Sequence, residues 1–145
     1  MNPIDQFAEA ARRFCHWCES APAPDSIQAR KDLAEIYRAA LSLPEGNSDF
    51  DIAEPVASPE WLPQLAALPF HLYNLFYVPS NLDEPPCMGD LADDFQDIYR
   101  DLQAGLALYE LHQPEAAAWT WLFSFRTHWG HHAASALFAL EAHEA

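Results

Sequence analysis

Two histidines near the end of the chain have the spacing of a metal site. His128 and His132 are four residues apart, so a helix would place both imidazoles on one face, where they can bind one metal ion. The zinc-protease motif also needs a glutamate directly after its first histidine, but Trp129 occupies that position. A third ligand would have to come from another helix. One hypothesis is therefore a divalent metal such as Zn²⁺ bound by His128, His132 and Asp94.

A row of aspartates lies on the helix that could supply this third ligand. We call them the acidic stripe: Asp90, Asp93, Asp94, Asp97 and Asp101. Helical periodicity places the stripe opposite the apolar residues of its helix, so we expect these side chains to point to water. The three histidines from 128 to 132 are expected to lean away from the apolar stripe of their own helix. The Glu-x-x-His pairs of di-iron bundles are absent from both helices.

Two further residues beside the histidines are candidates for binding. Arg126 falls within the apolar stripe predicted for the last helix, and a buried guanidinium requires a partner, for which we expect Asp94 or Asp97. It would act as a structural ion pair, reach to the rim of the core, or bind an anionic group. Trp129 is the second candidate, because the tryptophans can line a pocket for an aromatic or cationic ligand together with the cluster of Tyr73, Phe76 and Tyr77. Packing of these rings in the core is the alternative.

The cysteines indicate structural thiols. Cys15 and Cys18 form a Cys-x-x-Cys inside a predicted helix, with no second pair and no preceding strand, so neither a zinc ribbon nor a thioredoxin-like unit is supported. Both fall on the apolar face, where an unpaired cysteine behaves as a small hydrophobe. With Cys87 they make an odd and sparse set, which favours a reducing cytoplasm.

The charge of the chain narrows the classes of partner. Its 22 acidic and 7 basic side chains give a formal net charge of -15 among 145 residues. Such a surface repels phosphate backbones and anionic lipid, which disfavours nucleic acid and membrane and favours a basic protein partner. The first residues lack the pattern of a signal peptide, and no apolar run reaches the length of a membrane span. We expect a cytoplasmic protein.

The elements that must position these residues are predicted to be helices. Helical periodicity and capping residues indicate one domain over 1–145, an all-α antiparallel bundle of about five helices. Pro63 and Pro69 should kink the third helix. The predicted ranges are about 3–20, 25–43, 58–77, 89–111 and 114–142, with an exposed acidic loop from 44 to 57.

One segment of the last helix has the alternation of a strand. Trp119, Trp121, Phe123 and Phe125 alternate with smaller or polar residues. We predict a helix there, because the flanking residues are strong helix formers and no second strand-like run is visible to pair with a strand.

Three segments resemble a known bacterial family. Residues Arg30 to Tyr37, Gly89 to Leu102 and His128 to His132 are similar to those of domain of unknown function 5063. The resemblance implies a small bacterial cytoplasmic helical protein and carries no assigned activity, cofactor or catalytic residue.

These observations leave more than one function open. The first hypothesis is a non-catalytic protein-interaction module without a cofactor that binds a partner through Asp90, Asp94, Asp97 and Asp101, since no complete catalytic set is visible. The alternative is a metal-dependent, hydrolase-like enzyme with histidine and aspartate ligands from two helices. A third possibility is mimicry of nucleic acid by the acidic face.

Overall fold

The computed structural model describes residues 1–45 and 59–144, and these are mainly helical. Most of the predicted acidic loop, from residue 46 onward, lies outside the described residues. The elements in chain order are α1 (Pro3–Glu19), α2 (Ser26–Leu41), a short 3₁₀ helix (Pro63–Ala67), β1 (Leu72–Leu75), β2 (Cys87–Asp90), α3 (Leu91–Glu110), α4 (Pro114–Ser124), a π-helical turn (Phe125–Trp129) and α5 (Gly130–Glu144).

Polar side chains cap the first turns of three helices. The Asn2 side chain accepts a hydrogen bond from the backbone N–H of Asp5 at 2.8 Å, and Asp25 accepts one from Gln28 at 3.1 Å. Both caps agree with the sequence signals. Asp90 does the same for α3, accepting from the backbone N–H of Ala92 at 3.0 Å. The first aspartate of the acidic stripe therefore has a structural role at the start of α3.

The prediction of a helix over residues 58–77 was wrong. Its described part contains only the one-turn 3₁₀ helix and strand β1, which pairs with β2 in an antiparallel two-stranded sheet. Pro63 and Pro69 each lack the donor that a continuous helix needs. The register pairs Leu72 with Asp90, and Leu75 with Cys87. The fold is helical with this small sheet added, so the strictly all-α prediction needs that correction.

The last helix forms as predicted but contains a π turn. Residues 119–124 lie in α4, and the π turn leads into α5 without interruption. Gly130 donates its backbone N–H to the carbonyl oxygen of Phe125, five residues earlier. A Cβ atom at Gly130 would lie only 2.5 Å from that oxygen. The turn therefore inserts an extra residue into the helix and rotates everything before it relative to α5.

Large aromatic side chains fix α3 in the core. Phe95 of α3 stacks on Phe14 of α1, with ring centroids 5.7 Å apart. Trp121 of α4 is fully buried and donates its indole N–H to the carbonyl oxygen of Leu102 at 3.1 Å. Helix α3 also contacts α5. Because α3 is held by α1 and α4 on its apolar sides, its acidic side turns toward α5.

The described helices carry no membrane span. None is both long and apolar enough to cross a bilayer.

Candidate metal centre

The acidic stripe and the histidines meet between α3 and the last helix. Five side chains form what we call the His/Asp cluster: Asp94, Asp97, Asp101, His128 and His132. The three aspartates belong to α3, His128 lies in the π turn, and His132 lies in the first turns of α5. Aspartates at positions 94, 97 and 101 share one face of α3 because they are three and four residues apart. The two faces that the sequence identified separately therefore form one site.

The two histidines make parallel sets of contacts. Nδ1 of His132 lies 2.6 Å from Oδ1 of Asp94, and Nδ1 of His128 lies 2.6 Å from Oδ2 of Asp101. On the other side of each ring, Nε2 faces the same carboxylate oxygen, Oδ2 of Asp97. That oxygen is 3.3 Å from Nε2 of His132 and 3.9 Å from Nε2 of His128.

The spacing of Asp97, His128 and His132 suits a single ion. One potential ligand atom from each lies within 4.8 Å of the others. In a tetrahedral zinc site each ligand is about 2 Å from the ion, which puts neighbouring ligand atoms about 3.3 Å apart. Small side-chain rotations therefore suffice to place an ion between the three residues.

The remaining carboxylates of the cluster are partly or fully buried. Asp94 is only 4% exposed, and both of its oxygens have partners, because Tyr73 of β1 donates its hydroxyl to Oδ2 while Oδ1 contacts His132. Burial, followed by the contact with Asp94, raises the pKa of the Tyr73 hydroxyl, so it stays a donor. Tyr73 belongs to the segment predicted as a helix, and the sequence named it only in an aromatic cluster, not as a partner of the aspartates.

The pKa directions follow from these contacts. The hydrogen bond to Asp94 raises the pKa of His132, against the effect of its burial. Burial raises the pKa of Asp101, and the contact with His128 opposes that rise. Because its pKa is raised, His132 binds a proton more tightly than a free imidazole does. A metal ion bound to Nε2 of His132 would have to displace that proton.

Two predictions about the acidic stripe need correction. The expectation that Asp94 points to water was wrong, because α5 packs over this side of α3 and encloses it. The geometry also places Asp97, rather than the predicted Asp94, against both Nε2 atoms. Asp94 instead contacts the opposite edge of the His132 ring.

Arg126 lies at the surface, contrary to its predicted burial. It is exposed and forms a two-bond ion pair with Glu45, through Nη1 to Oε2 at 3.1 Å and Nη2 to Oε1. The hydrogen bond from Arg126 lowers the pKa of Glu45. The partner is thus neither Asp94 nor Asp97. The π turn explains the error, since its extra residue moves position 126 off the apolar face.

Trp129 is a core residue rather than part of a binding surface. It is fully buried and donates its indole N–H to the carbonyl oxygen of Trp121 at 3.2 Å. The structure does not bring its side chain to the surface beside the histidines.

The thiols of α1 are buried, as predicted. Cys15 and Cys18 are both free and buried. Burial raises the pKa of Cys15 to about 12 and that of Cys18 well above its ordinary value. Both remain protonated at neutral pH and are poor metal ligands or nucleophiles.

Comparison with known proteins places the chain in a family. No curated protein matches it. A crystal structure of protein BF1032 from Bacteroides fragilis is similar in fold, with a TM-score of 0.76 and 18% sequence identity over 99% of this chain and 92% of that one. The family model described as a domain of unknown function, DUF5063, matches residues 2–145. The chain therefore belongs to the DUF5063 family.

Proposed function

We propose that this protein binds a divalent transition-metal ion through Nε2 of His128, Nε2 of His132 and a carboxylate oxygen of Asp97. The observation that carries the proposal is the shared position of Asp97 Oδ2, which faces both Nε2 atoms while both Nδ1 atoms contact other carboxylates.

The outer carboxylates suit such a site. A metal-binding histidine commonly donates its second ring N–H to a carboxylate, which fixes the tautomer, orients the ring and increases the basicity of the ligand nitrogen. Asp101 would do this for His128, and Asp94 for His132. Tyr73 in turn holds Asp94, so the support extends to β1.

The proposed ligand set leaves room for chemistry. Two histidines and one carboxylate occupy three positions of a metal ion and leave at least one for water or substrate. The side chains of His128, Asp97 and His132 are 46%, 28% and 24% exposed, so solvent would reach an ion held there. A bound metal lowers the pKa of its water and makes hydroxide available near neutral pH. Hydrolysis is therefore the reaction class that we assign to the site.

The interaction module predicted from the acidic stripe receives less support. Asp94 is buried, Asp101 contacts His128, and Asp90 caps α3. Their carboxylates are engaged within the protein, which reduces the free charge that a basic partner could contact. The stripe is better explained as the α3 half of a metal site.

Titration with metal tests the proposal directly. Tag-free protein, stripped with chelator and then freed of it, is titrated with Zn²⁺ by calorimetry and with Co²⁺ by visible absorption, which reports the ligand geometry. We expect one ion per chain. Asp97→Asn and His128→Ala should weaken binding by at least about tenfold, because each removes one of three ligands.

Matched substitutions outside the cluster serve as controls. Asp93→Asn changes an exposed aspartate on the same helix, and His16→Ala changes an exposed histidine of α1. Neither should alter the affinity. Equal binding by all variants would place the metal elsewhere, and absence of binding by the parent protein would leave the cluster as a set of hydrogen bonds joining α3 to α5.

A further inference from the structure

A groove on the other side of Tyr73 has no part in the proposed metal site. Its volume is about 680 Å³, and it runs between α5 and the segment formed by β1 and the residues after it. We call it the β1–α5 groove. This volume lies within the range of about 300 to 1,000 Å³ that holds small organic ligands in proteins.

Aromatic rings form the walls of the groove. Tyr73, Phe76 and Tyr77 line one side, and Phe138 lines the α5 side. Alanines of α5 at positions 134, 139 and 142 form the floor between these larger residues. Phe138 is 73% exposed and Tyr77 is 59% exposed. Such exposure of large rings around a concave surface is typical of a binding site.

Contacts with two other elements hold the Tyr73 ring in place in the groove wall. Its ring packs on Gly89 of β2, where an added Cβ would lie 2.4 Å from the Tyr73 Cζ atom. Its hydroxyl donates to Asp94. Farther along the groove, Tyr77 stacks on His131 of α5, with ring centroids 5.7 Å apart. The walls are therefore held by β2, α3 and α5 together.

The electrostatics of the groove favour a cation. Among the described residues, the lining contains neither lysine nor arginine, and its histidine, His131, is stacked on Tyr77. An anionic ligand would therefore find no permanent counter-charge from these residues. Asp94 lies directly behind Tyr73 and accepts a hydrogen bond from its hydroxyl, and Asp90 lies at the end of the strand that pairs with β1. The chain as a whole carries a formal net charge of -15. Aromatic faces attract cations through their quadrupole, and the attraction strengthens where water is excluded.

We propose that the β1–α5 groove binds a small organic cation with an apolar body, of the quaternary ammonium or phosphonium class. The aromatic rings supply both the apolar contact area and the attraction to the positive charge. None of the three proposed metal ligands lines the groove, although Tyr73 borders it and also contacts Asp94.

The test compares two probes of the same shape and opposite charge. Tetraphenylphosphonium and sodium tetraphenylborate are titrated by calorimetry into the full chain, with chelator and 0.3 M salt present so that diffuse attraction is screened. We expect one phosphonium ion per chain and borate binding at least about tenfold weaker. Equal affinity for both ions would overturn the assignment of a cation site.

Variants locate the bound probe. Phe138→Ala and Tyr77→Ala should each weaken phosphonium binding by about fivefold, whereas Tyr77→Phe keeps the ring and should bind as the parent does. Ile27→Ala, at an exposed position of α2, is the matched control. Asp97→Asn should also leave phosphonium binding unchanged, which separates this result from the test of the metal centre.

Two further outcomes would overturn the proposal. Phosphonium affinity that is the same in Phe138→Ala and Tyr77→Ala would place the probe outside the groove, and undetectable binding would remove the site. Sedimentation velocity tests whether a second copy of the chain occupies the groove. A dimer of the parent chain that dissociates in Phe138→Ala would show that the groove binds a second copy instead.

Discussion

At the scale of single residues, Asp101 tests whether the outer carboxylates of the His/Asp cluster act through the histidines. Asp101 contacts the Nδ1 side of His128, opposite the Nε2 atom proposed as the metal ligand, so it would orient that ring without binding the metal. We predict that Asp101→Asn weakens Zn²⁺ affinity by about tenfold to a hundredfold while the stoichiometry stays at one ion per chain. Calorimetry with the parent chain as reference measures both quantities.

The spectrum of bound Co²⁺ distinguishes this role from that of a ligand. Asp101→Asn should keep the absorption bands of the parent protein, because the atoms around the ion are unchanged, whereas Asp97→Asn should shift them. A changed spectrum in Asp101→Asn would assign Asp101 to the ligands themselves.

Asp32 of α2 provides a pH-dependent prediction away from the cluster. Burial raises the pKa of its carboxyl group, while a hydrogen bond from Gln28 at 3.0 Å and the charge of Arg13 oppose the rise. A carboxyl whose pKa is higher in the folded state binds protons more tightly there. Its ionisation therefore lowers the free energy of unfolding as the pH rises from the unfolded pKa through the folded one.

Asp32→Asn should remove this penalty and keep an oxygen that accepts from Gln28. We predict that the variant is more stable than the parent at pH 7 and that the difference shrinks as the pH is lowered to 4. Urea unfolding at both values measures it, with the exposed Asp83→Asn as control. A loss of stability at pH 7 would instead show that attraction to Arg13 exceeds the cost of burial.

The residue pattern predicts that the two histidines and the acidic stripe are candidate ligands, but it does not predict that they meet. The four-residue spacing of His128 and His132 was sufficient to place them on one face. Whether that face met Asp97 depended on how α3 rotates about its own axis, which the packing of Phe95 and Trp121 determines. The sequence named Tyr73 only as part of an aromatic cluster, and its contact with Asp94 depends on strand β1, for which there was no clear strand signal.

At the scale of elements, the π turn determines which side chains of the last helix reach the core. It brings Trp129 inside and leaves Arg126 at the surface beside Glu45. Thr127 supports it by donating its hydroxyl to the carbonyl oxygen of Phe123 at 2.8 Å. Hydroxyl groups that bind a carbonyl four residues earlier accompany distorted helices.

Gly130 tests whether the π turn is required by the fold. In a regular exposed helix, replacing glycine with alanine stabilises by about 1 kcal/mol. Here the new Cβ would meet the Phe125 carbonyl at 2.5 Å. We therefore predict that Gly130→Ala lowers the free energy of unfolding by about 1–3 kcal/mol, measured by urea unfolding.

The reverse substitution at an ordinary position calibrates this result. Ala107→Gly, at an exposed site of α3, should cost about 1 kcal/mol through helix propensity alone. If Gly130→Ala stabilised the protein by that amount, the last helix could adopt a regular α conformation at no cost.

The elements themselves were predictable where capping and periodicity agreed. Asn2 and Asp25 marked the starts of α1 and α2, and Pro114 marked that of α4. Strand β2 was not predictable, because Cys87, Met88, Gly89 and Asp90 show no alternation of apolar and polar residues. Only its pairing with β1 gives it a strand conformation, and such pairing is a tertiary contact.

At the scale of the whole molecule, the excess of acidic residues destabilises the folded state and favours the binding of cations. The formal net charge of -15 produces mutual repulsion within the folded chain, which salt screens. In chelator, a rise in salt should therefore increase the unfolding temperature. A metal ion at the His/Asp cluster would also reduce this repulsion, because it would add positive charge between two helices.

The combined effect of metal and salt is the final prediction. A ligand that binds only the folded state, present at a hundred times its dissociation constant, raises the free energy of unfolding by about 2.7 kcal/mol. For a chain of this size we expect Zn²⁺ to raise Tm by about 8 °C at low salt. The gain should shrink as salt increases, since screening weakens the attraction between the ion and the acidic surface.

Differential scanning calorimetry at several salt concentrations measures these shifts, with Asp97→Asn as the reference. The variant should keep the stabilisation by salt and lose most of the stabilisation by Zn²⁺. A Zn²⁺ effect of equal size in the variant would attribute the gain to diffuse binding on the acidic surface. A gain in the parent that disappears in Asp97→Asn would link the ion to the contact between α3 and α5.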